Sequence, residues 1–177
     1  MYEVELKVRA GHDRVRERLD GIDAESMGTV TQVDTYYDHP VRAFAETDEA
    51  LRIRRETDGS DEHTKITYKG PLVDADSKTR EELETGVNDG ETMASVLESV
   101  GFDPAATVEK TRERFGYGEY VVTLDTVEGL GEFVEVETEA EEIDPARAGA
   151  VDVLERLGLD PDEGIRTSYL GLLLDDG

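Results

Sequence analysis

The sequence contains no cysteine, only five lysines, and no apolar stretch near the ~18 residues of a membrane-spanning helix. Without cysteine there can be no disulfide, thiol nucleophile or cysteine-ligated zinc. Bases are scarce altogether: 19 Lys+Arg stand against 44 Asp+Glu, for a formal net charge of -25. Sequence-independent nucleic-acid binding needs a basic face that releases counterions, and anionic membranes ask for the same. Neither partner fits this chain. The start, Met1-Tyr2-Glu3-Val4-Glu5, has neither the basic nor the apolar region of a secretory signal, so the cytoplasm is the expected compartment.

What remains is enough for a fold. Leu, Ile, Val and Phe supply 42 of the 177 residues, above the ~20% below which a highly charged chain stays unstructured. The length suits one domain, expected over residues 1–177. The acids are spread along the chain, and most of the bases are arginines. This resembles the proteome-wide style of a salt-accumulating halophile, in which molar salt screens self-repulsion.

Alternation with period two dominates. Tyr2 to Arg9 sets Val4, Leu6 and Val8 against Glu3, Glu5 and Lys7. Further strands are expected at 28–38, 50–56, 63–69, 79–87, 107–115, 120–127 and 132–139, mostly joined by connections short enough for antiparallel neighbours. Helices are expected at 13–19, 91–100, 144–157 and 166–174. The third of these carries Asp144 as N-cap, Pro145 in its first turn and Gly158 as its stop. The fold class is therefore α+β around an eight-stranded antiparallel sheet, and eight strands can close into a barrel.

The polar face of these strands is the informative one. Lys7, Arg52, Arg54, Lys65, Lys69, Arg80, Lys110, Arg112 and Arg114 are nine of the nineteen bases, and all share strand phase. Glu3, Glu5, Glu82, Glu84, Asp125, Glu135 and Glu137 are interleaved with them. A solvated sheet face could look like this strand by strand. Gathering scarce bases in an acidic chain, however, points to an anionic ligand. The acids among them make sense as holders of divalent cations, since Mg²⁺ takes one or two carboxylates plus substrate phosphates. The pattern reads as a metal–polyphosphate site.

Glu3-Val4-Glu5-Leu6-Lys7 resembles the ExExK signature of the CYTH superfamily, the triphosphate tunnel metalloenzymes, which include class IV adenylyl cyclases and thiamine and inorganic triphosphatases. The blocks TQVDTYYD (31–38), ALRIRRE (50–56), KITYKGP (65–71), TREELE (79–84), VEKTRERF (108–115), TLDTVEGLGEFVEVE (123–137) and TSYLGLLL (167–174) follow in order. The class IV cyclase branch is the most similar. The resemblance implies an eight-stranded antiparallel barrel forming an open tunnel, with flanking helices and the charges turned inward. It implies that Glu3, Glu5, Asp125, Glu135 and Glu137 hold Mg²⁺ or Mn²⁺. Lys7, Arg52, Arg54, Lys69, Lys110 and Arg112 would carry the catalytic and phosphate-gripping roles, with Lys65, Arg80, Glu82 and Arg114 matching less firmly and Glu84 left as ordinary strand surface. The substrate would be ATP, cyclised to cyclic AMP and pyrophosphate, or an inorganic, thiamine or nucleoside triphosphate losing its terminal phosphate. A tunnel that binds polyphosphate without turnover is the third reading, and a homodimer is the assembly the cyclase branch suggests.

Other chemistries find no support. His12, His39 and His63 fall in or near expected turns without metal-ligand spacing and are assigned to the surface. Neither a Walker A loop nor G-x-G-x-x-G is present. Asp74-x-Asp76 lacks the glycine and terminal glutamate of a calcium loop, with Thr79 and Thr85 in those places. Of Tyr36 and Tyr37, at least one is expected in the core or at the tunnel rim. Residues 170–174 are expected to pack on the barrel.

Overall fold

The computed structural model describes residues 1–175; the last two residues of the expected 1–177 domain lie outside the described residues. Eight strands form the barrel: β1 (Tyr2–Arg9), β2 (Glu25–Asp38), β3 (Ala50–Asp58), β4 (Asp61–Lys69), β5 (Lys78–Val87), β6 (Asp103–Tyr117), β7 (Tyr120–Val127) and β8 (Gly131–Ala140). They close in the order β1-β5-β4-β3-β2-β6-β7-β8, and each neighbour pair is antiparallel. The helices are α1 (His12–Gly21), α2 (Phe44–Thr47), α3 (Gly90–Ser99), α4 (Ile143–Arg156) and α5 (Tyr169–Asp175).

The barrel is inverted relative to a packed β-core. Leu6, Val8, Val122, Leu124, Val134 and Val136 point outward and are buried under Val15 and Leu19 of α1 and Ala150, Val153 and Leu154 of α4. Strand alternation then turns Glu3, Glu5 and Lys7 into the lumen. The main hydrophobic core is thus a layer between sheet and helices, while the centre of the barrel is polar. Gly149 allows α4 to approach this closely: a Cβ there would sit 2.0 Å from the Tyr120 hydroxyl, which donates to the carbonyl of Ala146.

Three local expectations are corrected. His12 is buried and not at the surface; it lies 3.0 Å from the Phe133 carbonyl and 2.9 Å from Glu132. The first residue of α1 is thereby pinned to β8. Asp144 is not the N-cap of α4, because the helix begins at Ile143 after Glu142. Finally, α5 starts at Tyr169 and not at residue 166; Arg166 precedes the helix, its guanidinium donating to the carbonyls of Asp74 and Ser77. A register shift between Tyr36 and Tyr37 buries both rings, Tyr36 beside Val108 and Tyr169, and Tyr37 against Ile53 and Leu97.

Candidate active site in the barrel lumen

The lumen is a cavity of about 1290 Å³ that runs from Met27, Arg114 and Glu119 at one end to Phe44, Asp48 and Leu170 at the other. Of the expected site residues, Glu3, Glu5, Arg52, Arg54, Lys65, Lys69, Arg80, Lys110, Arg112, Arg114, Glu135 and Glu137 line it. Lys7 and Asp125 lie just behind that lining, 1% and 0% exposed. Glu82 and Glu84 line it as well. The assignment of Glu84 to ordinary strand surface is therefore corrected: it accepts from the Thr67 hydroxyl at 2.7 Å and lies 3.5 Å from Lys65.

Register explains how residues distant in sequence meet. Glu5 of β1 stands opposite Glu137 of β8 and Lys78 of β5, and Glu3 stands opposite Glu139 and Arg80. Glu3, Glu5 and Glu137 each offer a carboxylate oxygen, all within 4.8 Å of one another. This is an oxygen-only donor set suited to a hard divalent cation. Burial, then the nearby charge of Glu3, pushes Glu137 up to about 8. Glu3 goes the other way: burial would raise it, but Lys69 and a hydrogen bond from Glu137 together hold it below its ordinary value. Glu137 is thus the member of this group whose proton a bound cation would displace.

The bases fall into two sets. In one, resident carboxylates hold them tightly. Arg54 donates to both oxygens of Asp34 at 2.6 and 2.8 Å, and Lys110 donates to the same carboxylate at 2.8 Å. Arg112 grips Asp125 with two bonds of 2.7 Å and reaches Glu135 at 3.2 Å. Arg114 holds Glu56 at 2.9 Å, and Gln32 donates to the same group at 2.7 Å. Tyr169 completes this side, its hydroxyl donating to Asp125 at 2.7 Å. Although burial opposes it, Arg54 and Lys110 together hold Asp34 far below its ordinary value. One carboxylate cannot neutralise two cations, and burial with the adjacent Arg54 brings Lys110 down to about 7.

In the other set the contacts are long or missing. Lys69 lies 3.5 Å from Glu3 and 3.7 Å from Glu82, and Arg52 lies 3.8 Å from Glu82 and 3.9 Å from Glu84. Lys7 Nζ, Arg52 Nε and Arg80 Nε are buried without a hydrogen-bond partner among the described residues. Lys7 rests over the Tyr169 ring, 4.3 Å from its centroid. Burial, then the charge of Lys78, lowers Lys7 to about 7, against the pull of Glu5 and Glu135. Arg80 is turned toward the loop before β3, donating to the Asp48 carbonyl at 2.8 Å. Buried cations whose ion pairs are this long are costly, so this side suits an anion supplied from outside.

The model of the CYTH domain matches residues 1–169. The chain belongs to the CYTH domain family. A protein of Methanocaldococcus jannaschii named as a candidate adenylate cyclase is 38% identical over 97% of this CYTH chain and 98% of its own length. A solved structure from Pyrococcus horikoshii is 40% identical, covers 99% of both chains and superposes with a TM-score of 0.88. A solved structure from Hippeastrum, described as a candidate adenylyl cyclase with a dominant triphosphatase activity, shares the fold at 17% identity and a TM-score of 0.71, covering 99% of this chain and 95% of its own.

Sequence reasoning missed Asp34, Glu56, Gln32, Lys78 and Tyr169 as parts of this site. Asp34 had a signal available, since it has the same strand phase as Gln32 and Tyr36. Lys78 was hidden because the strand was expected to begin one residue later.

Proposed function

We propose that this CYTH-domain protein is a metal-dependent enzyme that acts on a triphosphate inside its barrel, and that its reaction is the cyclisation of ATP. The observation carrying this reading is the under-partnered set of bases gathered around the Glu3, Glu5 and Glu137 group within one lumen. In cyclisation the ribose 3'-oxygen bonds to the α-phosphorus, the bond from that phosphorus to the bridging α–β oxygen breaks, and pyrophosphate leaves as the hydroxyl proton is released. Mg²⁺ or Mn²⁺ held by Glu3, Glu5 and Glu137 would supply Lewis-acid polarisation of phosphate oxygens.

The chain's own residues do the rest. Lys7, Arg52, Lys69 and Arg80 bind phosphate oxygens and stabilise the charge that gathers on the leaving pyrophosphate. Arg54, Lys110 and Arg112 add positive potential from fixed positions. Asp34, Asp125 and Glu135 hold those three in place. No nucleophilic side chain is required, because phosphoryl transfer rests on positioning and charge.

Attack by water on the terminal phosphorus would use the same wall, and the Hippeastrum barrel makes that the second reading. Product analysis in molar KCl with Mg²⁺ or Mn²⁺ separates the two. Cyclic AMP plus pyrophosphate from ATP is the expected result. Orthophosphate from inorganic or thiamine triphosphate supports the second reading instead. No turnover of any triphosphate with either cation overturns the enzymatic assignment.

A further inference from the structure

Lys78 opens β5 with its Cα partnered to that of Glu5. Strand alternation places it in the lumen with Arg80, Glu82 and Glu84, and all four line the cavity. Lysine is rarely this buried without a partner, yet Lys78 is 9% exposed. Its nearest acid among the described residues is Glu5, with Nζ at 4.0 Å from Oε1. That is beyond hydrogen-bond reach, and Glu5 Oε1 is itself without a hydrogen-bond partner among the described residues. Lys78 also acts electrostatically on Lys7, Lys69 and Glu3, so three amines gather around the carboxylates that would hold a divalent cation.

We propose that Lys78 is a phosphate-binding residue, the third amine of a Lys7–Lys69–Lys78 cradle that receives the phosphate group coordinated beside Glu3 and Glu5. The assignment rests on the triphosphate reading above. The competing role is simple neutralisation of Glu5. The two differ in what Lys78 should touch. A neutralising amine should lie against its carboxylate, as Lys110 lies against Asp34 at 2.8 Å. Lys78 instead stands off from Glu5 and lines the open lumen, where its amine can meet a ligand.

The test is calorimetric titration of inorganic tripolyphosphate, with EDTA present, into the wild-type chain and the Lys78→Met and Lys78→Arg variants. A ligand role predicts that Lys78→Met weakens binding about tenfold or more, and that Lys78→Arg recovers most of it. A parallel Mn²⁺ titration without phosphate is the control that the substitution has reached the site, because removing a cation beside Glu5 strengthens Mn²⁺ binding in either case; the tripolyphosphate response separates the roles. Tighter Mn²⁺ binding with unchanged tripolyphosphate binding overturns the proposal. If Lys78→Met does not fold, amine labelling of the wild type decides. Tripolyphosphate should protect Lys78, and an unprotected Lys78 at saturating ligand overturns it. Binding is read here without turnover, so a failure of the cyclase reading would show in the product analysis and leave this test intact.

Discussion

The two walls of the lumen are built from the same residue types and behave differently. On β2, β6 and β7, with Arg54 of β3, each base is closed off by a carboxylate at 2.6–2.9 Å. On β1, β4 and β5, with Arg52 of β3, ion pairs lengthen to 3.4–4.0 Å and several donors have no partner. Arg52 and Arg54 are two residues apart and show both behaviours. A bidentate arginine–carboxylate pair is satisfied and fixed, so its job is to hold shape and potential. A buried cation short of partners leaves donors that the chain itself does not fill. Positive charge alone therefore does not distinguish the two walls; the lack of a tightly bound resident acid does.

The comparison breaks most visibly through Asp34. Asp34→Ala removes the shared partner of Arg54 and Lys110 and should cost about 3–5 kcal/mol of stability, measured by urea unfolding. Since Asp34 titrates far below its ordinary value, its contribution is complete above the ordinary carboxylate range and is lost as pH falls through and below it. The variant should lack that acid-side slope. Arg52→Met, on the other wall, should change stability little. It should lower kcat/KM about 100-fold, or ~2.7 kcal/mol of transition-state binding. A large stability loss at Arg52, or an intact Asp34→Ala protein, would erase the distinction.

Alkaline pH sharpens it next. Lys110, at about 7, binds fewer protons in the folded state than in the unfolded state between there and the ordinary lysine value. Stability should thus rise with pH through that window, by at most ~1.4 kcal/mol per unit for each such amine. Lys110→Met should have a shallower slope in urea unfolding from pH 7 to 9. The smallest effect is expected at Tyr169→Phe, which keeps the ring under Lys7 and removes only the hydroxyl bond to Asp125. It should lower stability by about 1 kcal/mol, with the tripolyphosphate affinity nearly unchanged.

How far the sequence anticipates this molecule depends on the question. Period-two alternation at Tyr2–Arg9 and its counterparts locates every strand, since a half-buried strand must alternate. Which face turns inward is not legible from alternation, because charged-in and charged-out barrels have the same period. Here only the resemblance placed the charges inside. Glu3, Glu5 and Glu137 meet through pairing across β1 and β8, a register no local pattern encodes. Asp34 looked like one polar residue among TQVDTYYD until β3 and β6 flanked it. His12 looked like turn chemistry, yet β8 supplies it with a buried carbonyl and a carboxylate. The -25 charge describes the exterior, where it predicts a preference for molar salt, and gives no view of the lumen.

The most direct test of the two-wall account is calorimetry of the wild-type chain with inorganic tripolyphosphate in EDTA, run at pH 7.5 in two buffers of different ionisation enthalpy. Lys7 and Lys110 stand at about 7, and an entering polyanion should return protons to them. The account predicts one tripolyphosphate per chain with net proton uptake. Absence of binding, or binding with no proton exchanged, would contradict it.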